Sequence, residues 1–153
     1  MSVVFFDTWG WVALAHVGDA HHAEVAGWYA RFLRRDGVVA TSEVVLVETL
    51  QVLTGRCTAS GVLGFAARIH QSLASSDLEL LLVTPDVLAV SLQLFDRLNG
   101  SFQRRSRQPV RMVSLADCTS MTLMRSVGLQ VVLTGDDHFV HAGLGLARVD
   151  LAD

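Results

Sequence analysis

Asp7 directly follows the apolar run Val3-Val4-Phe5-Phe6, and Asp136 follows Val131-Val132-Leu133-Thr134 after one glycine. A carboxylate just beyond a buried strand stands where an α/β sheet binds its ligands. A turn residue or a helix cap is the plainer role for an aspartate there. Glu48 and Asp117 are harder to assign so plainly. Three and four positions from Glu48 lie Val44, Val45, Gln51 and Val52; from Asp117, Val113, Ser114, Ser120 and Met121. Each acid is thus on or beside the apolar stripe of a helix. An unpaired carboxylate in that setting costs several kcal/mol. Arginine could offset this, but Arg56 is the candidate near one helix and Arg125 has the wrong spacing on the other. A divalent cation shared by Asp7, Glu48, Asp117 and Asp136 would satisfy all four, and such oxygen donors suit Mg²⁺ or Mn²⁺. No cluster of histidine and cysteine competes for zinc. His21-His22 reads as a surface pair, and His138 as a structural residue with substrate contact as its alternative.

Acids so far apart in the chain need a sheet to gather them. Val3 to Phe6 reads as a central strand, with Thr8 as cap of a helix from about Trp9 to His16. A second helix covers roughly His21 to Arg35 and a strand Val38 to Thr41. Ser42 caps a helix from Glu43 to about Thr54, and helical periodicity resumes from Ala59 to Ser75. Leu78 to Val83 is a strand, and Thr84-Pro85-Asp86 starts a helix that runs to about Leu98. Asn99 to Arg111 reads as the one long loop, Ser114 to Val127 as a helix and Gln130 to Thr134 as a buried strand. A short helix after Asp136 and a strand near Leu146 to Val149 complete the chain. Alternating strands and helices, with strands apolar on both faces, predict a three-layer α/β/α sandwich around a mainly parallel sheet.

The 153 residues suffice for one domain with a proper core, and 51% hydrophobic against 18% charged residues excludes disorder. No apolar run reaches the roughly 20 residues of a membrane helix. The start MSVVFFDTWGW lacks the features of a signal peptide, so a cytoplasmic protein is expected, with Cys57 and Cys118 reduced. All twelve basic residues are arginine, which excludes a Walker-type phosphate loop and a Schiff-base lysine. The net charge of −3 excludes a generally basic nucleic-acid binder.

Four segments, FFDTWGWVAL, TSEVVLVETL, SLADCTSMTLMRSVG and VVLTGDDHF followed by AGL, resemble the PIN-domain nucleases in this order and at these spacings. The likeness spans Val3 to about Val149 and is nearest to the VapC-like toxin half of VapBC-type toxin–antitoxin pairs. It implies that Asp7, Glu48, Asp117 and Asp136 are the metal-binding and catalytic acids, with Thr8 as the neighbouring hydroxyl residue. In the T-x-D-x-x-F block, which begins at Thr134, the match falls on Asp136 and leaves Asp137 as bystander. The resemblance further implies a Mg²⁺- or Mn²⁺-dependent ribonuclease leaving 5′-phosphate and 3′-hydroxyl ends, an antitoxin partner and a homodimer. Three other readings fit parts of the pattern. A phosphoryl-accepting signalling module would want a lysine, which this chain lacks. A non-cleaving PIN-fold module that binds RNA or protein would not need all four acids. A metal-dependent phosphatase would use the same acids on smaller esters.

The stretch before SLADC departs from the family pattern by being longer and more basic. Arg104, Arg105, Arg107 and Arg111 could hold phosphates flanking the cut, contact an antitoxin, or simply be solvated. If they hold phosphates, replacing Arg104 and Arg105 with alanine weakens RNA binding. It also lowers the slope of log affinity against log salt by about 0.7 per lost single-strand contact. An unchanged slope in a salt titration removes the stretch from the RNA interface.

Overall fold

The computed structural model describes residues 2–103 and 112–153, so Arg104, Arg105, Arg107 and Arg111 lie outside the described residues. Five parallel strands, β1 (Val3–Phe6), β2 (Val38–Ser42), β3 (Leu78–Leu81), β4 (Val131–Leu133) and β5 (Ala147–Arg148), form one sheet in the order β3-β2-β1-β4-β5. The chain first builds outward from β1 through β2 to β3, then crosses back and adds β4 on the other side of β1. The order therefore reverses between β1 and β4, and the crevice beyond their carboxyl ends is where this architecture binds ligands.

The helices are α1 (Thr8–Ala15), α2 (His22–Arg34), α3 (Glu43–Thr54), α4 (Ala59–Ala74), α5 (Pro85–Gln103), α6 (Leu115–Ser126) and α7 (His138–His141). Parallel connections are right-handed by rule, so building outward from β1 in both directions puts helices on both faces, consistent with a three-layer α/β/α sandwich. On one face the Phe6 ring meets Trp11, Trp28 and Tyr29 at centroid distances of 4.9, 6.0 and 5.7 Å. Trp11 in turn meets Phe65 of α4 at 5.9 Å. Helices α5 and α6 pack on each other, and Cys118, Met121 and Met124 of α6 are fully buried. None of the described helices is long and apolar enough to cross a membrane.

Strand β3 ends at Leu81, two residues short of the expected Val83, and two further boundaries differ from the sequence expectation in ways that bear on the site. Asp7, not Thr8, is the N-cap of α1, so Thr8 already belongs to the first turn and its hydroxyl is released for another partner. Helix α5 does not stop at Leu98 but continues through Gln103, taking in the start of the expected loop. Asn99 is only 4% exposed because both ends of its amide are used: Nδ2 donates to the Val113 carbonyl at 3.0 Å, and Oδ1 accepts from the Val113 amide at 2.9 Å. A polar residue that would open a helix in water here locks α5 to Val113, two residues before α6 begins.

The carboxyl edge of the sheet is fixed by close approach and by one buried relay. A Cβ on Gly10 would lie 2.9 Å from Leu133 Cδ2 and 3.1 Å from the Leu133 carbonyl oxygen, so α1 rests directly on the end of β4. The Trp11 indole N–H donates to Thr41 Oγ1 at 3.0 Å, and the Thr41 hydroxyl donates to the Phe6 carbonyl at 3.0 Å. This ties α1, β2 and the last residue of β1 together next to Asp7. Thr41→Val keeps the shape but strands a buried N–H, a loss of about 1–3 kcal/mol. Thermal unfolding of the variant should show a melting temperature lower by several degrees; an unchanged value would show that the relay adds nothing.

Candidate metal centre

Asp7, Glu48, Asp117 and Asp136 all line one cleft of about 550 Å³, together with Thr8, Trp9, Val52, Met112, Ser114, Gly135 and Asp137. Each acid arrives from a different element, and a threonine or serine hydrogen-bonds each of the four. The Asp7 amide donates to the Leu133 carbonyl at 3.1 Å, fixing the end of β1 to β4. The Thr134 hydroxyl donates to Asp7 Oδ2 at 2.8 Å and accepts from the Asp136 amide at 3.0 Å, so one side chain orders both strand-end acids. The Thr8 hydroxyl, free of capping duty, donates to the Glu48 carboxylate on α3. Ser114 and Asp117 form a capping box: the Ser114 amide donates to Asp117 Oδ2 at 3.2 Å and the Asp117 amide to Ser114 Oγ at 3.0 Å.

Burial and mutual repulsion load these carboxylates unequally. Asp7 is 7% exposed, and its side chain makes no capping hydrogen bond to α1. Burial, reinforced by the negative charges of Asp117 and Glu48, pushes its pKa from 3.8 up to about 7, although the Thr134 hydroxyl and Thr8 amide pull downward. Asp117 is raised for the same reason, burial first and then repulsion by Asp136 and Glu48, with the Ser114 hydrogen bonds opposing. Among the described residues no arginine reaches Asp7, Glu48 or Asp117. Arg56 pairs instead with Asp19 at 3.6 Å. Glu48 is half-buried, more open than its helical spacing suggests, and the capping box offsets part of the desolvation of Asp117.

Asp136 and Asp137 have different partners. Asp136 Oδ1 accepts from the His138 amide at 2.9 Å, in a turn that keeps it in the cleft. Asp137 lies at the exposed rim and accepts from Arg148 Nη1 at 2.9 Å. His138, read from sequence as structural, stands among the acids: its Nδ1 is 3.2 Å from Asp136 Oδ1 and 4.0 Å from Asp117 Oδ2. Asp117, Asp136 and His138 offer ligand atoms that all fall within 4.8 Å of one another, while Asp7 and Glu48 line the same cleft outside that tight group. Sequence reasoning also passed over Ser114, although the S-x-x-D pattern ahead of an apolar helix was there to find. Cys118 is buried, and burial together with Asp117 pushes its thiol up to about 11, which excludes a thiolate nucleophile at neutral pH.

The donor set is suited to a divalent cation. Four carboxylates share a cleft, two of them hold protons more tightly than free carboxyls do, and a hard ion prefers oxygen ligands. With no cation bound, Asp7 works against folding. Its pKa in the folded chain lies above the unfolded value, so stability falls as pH rises from about 4 to about 7 and changes no further above that. The shift from 3.8 to about 7 corresponds to about 4 kcal/mol at the upper end. In chelator, Asp7→Asn should therefore raise the melting temperature clearly at pH 8 and much less at pH 5. An equal change at both pH values would show that the Asp7 charge is not destabilising.

The PIN domain family matches residues 4–144 of this chain. The 23S rRNA-specific endonuclease VapC20 of Mycobacterium tuberculosis is 30% identical over 141 residues, covering 92% of this chain and 95% of the relative. The crystal structure of VapC20, described as a sarcin–ricin loop cleaving toxin, superposes with a TM-score of 0.69 over 93% of this chain and 95% of that one. VapBC2 from Rickettsia felis, bound to a DNA fragment from its promoter, shares the fold at a TM-score of 0.66 with 11% identity, covering 97% and 99% of the two chains. A profile match over nearly the whole length, and a relative this similar over as much of it, establish that the chain belongs to the PIN domain family.

Proposed function

We propose that this protein is a Mg²⁺- or Mn²⁺-dependent endoribonuclease and the toxin of a toxin–antitoxin pair. The observation that carries the reading is the buried Asp7 carboxylate, packed among Glu48, Asp117 and Asp136 where the strand order reverses. Family membership and the likeness to a 23S rRNA-specific endonuclease support RNA as the substrate. The same relative's description as a toxin supports a cognate antitoxin as partner. Homodimer formation and a cytoplasmic site of action belong to the same proposal.

In this reading Asp7, Glu48, Asp117 and Asp136 hold one or two ions. Such ions, when bound, activate a water and stabilise charge on the phosphate during an in-line displacement. Thr134 ties the Asp7 carboxylate to the Asp136 backbone, and Thr8 hydrogen-bonds the Glu48 carboxylate. Trp9, Val52 and Met112 give the cleft apolar walls, where charge interactions are stronger than in open water. The cleft's own charge repels a polyanion until it is neutralised, which makes substrate entry depend on the cation.

The test incubates purified protein with 23S rRNA and with a sarcin–ricin hairpin, in Mg²⁺, Mn²⁺ or chelator. Cleavage should require a cation, and Asp7→Asn should slow it by at least about a hundredfold, the scale of losing one preorganised charge interaction in a site. Equal cutting by parent and variant, or cutting in chelator, would contradict the proposal.

A further inference from the structure

The His138 imidazole is the group in this region that the four-acid scheme leaves unused. Its position is set locally. The His138 amide donates to Asp136 Oδ1 at 2.9 Å, closing a tight turn after β4. The next residue, Phe139, is fully buried and anchors α7 in the core. The ring is thereby held beside Asp136 and Asp117. Its Nδ1 is buried and makes no hydrogen bond, even though Asp136 Oδ1 is only 3.2 Å away. The two atoms are close without the alignment of a hydrogen bond. A buried ring nitrogen without a hydrogen bond is left with a lone pair to offer when the proton sits on Nε2.

The spacing matches coordination. Two ligand atoms each about 2.1 Å from an ion stand about 3 Å apart when adjacent and about 4.2 Å apart when opposite. The observed separations are 3.2 Å from Nδ1 to Asp136 Oδ1 and 4.0 Å from Nδ1 to Asp117 Oδ2. All three ligand atoms lie within 4.8 Å of one another. We infer that His138 Nδ1 is a direct ligand of the cation held by Asp117 and Asp136, and that this nitrogen makes the site prefer Mn²⁺ to Mg²⁺. Mg²⁺ takes oxygen ligands and keeps its water, whereas transition-metal ions accept imidazole readily. The inference rests on the metal-dependent reading of the cleft, and it concerns which atoms bind the ion.

Mn²⁺ and Mg²⁺ binding are measured on the purified full chain and on His138→Gln, by titration calorimetry for both ions and by electron spin echo spectroscopy for Mn²⁺. The parent should show modulation from one directly bound ¹⁴N and tighter binding of Mn²⁺ than of Mg²⁺. His138→Gln should lose the ¹⁴N signal and about tenfold or more in Mn²⁺ affinity, with Mg²⁺ affinity changing by less than about twofold. A parent that binds Mn²⁺ without ¹⁴N modulation overturns the His138 assignment while leaving the metal reading intact, and that result does not depend on the variant folding. Equal losses for the two ions in the variant overturn the selectivity claim. A parent that binds neither ion overturns both readings.

Discussion

A carboxylate withdrawn almost completely from water keeps its charge at neutral pH only if something nearby is positive, and Asp7 has no arginine among the described residues to serve. Glu48 and Asp117 make its position worse. Much of the surrounding structure makes sense as a device for tolerating this arrangement. The Thr134 and Thr8 hydroxyls and the Ser114 backbone amide donate to acid side chains, and the Trp11–Thr41–Phe6 relay stiffens the strand end from which Asp7 projects. A fold selected for stability alone would have an amide or an apolar residue at that position.

Topology explains why acids from residues 7, 48, 117 and 136 meet. Reversal of strand order between β1 and β4 opens a crevice at the carboxyl edge, and β1 and β4 each end by delivering an aspartate to it. Helices α3 and α6 lean over the same crevice and contribute Glu48 and Asp117. The close approach at Gly10, and at Gly135 where a Cβ would lie 2.6 Å from the Trp9 indole nitrogen, keeps the crevice narrow enough for one side chain, Thr134, to touch both strand-end acids.

Much of this was legible in the sequence, because the signals are local and strong. The apolar runs at Val3–Phe6 and Val131–Leu133 are strands, and the cap at Ser42 accepts from the Val45 amide as its type predicts. The misreadings occur where a side chain's role depends on a distant partner. Asn99 looked like a loop opener because its pairing with the Val113 backbone depends on how α5 and α6 pack. Thr8 looked like a cap because nothing local shows that Glu48, forty residues on, needs its hydroxyl. Helical spacing placed Glu48 and Asp117 on similar apolar stripes, yet their burial is set by the crevice mouth and by a capping box. His138 read as structural, with substrate contact as the alternative, because its place beside Asp117 depends on the approach of α6 to the turn after β4.

The central claim is that negative charge at Asp7 is tolerated because a divalent cation neutralises it. Carbon-13 NMR of the Asp7 carboxyl, followed through a pH titration without metal and again in saturating Mg²⁺, observes this directly. The account predicts a midpoint near 7 without metal and a midpoint lower by more than about one unit with it. A midpoint near 4 in metal-free protein, or one that Mg²⁺ leaves unmoved, would contradict it.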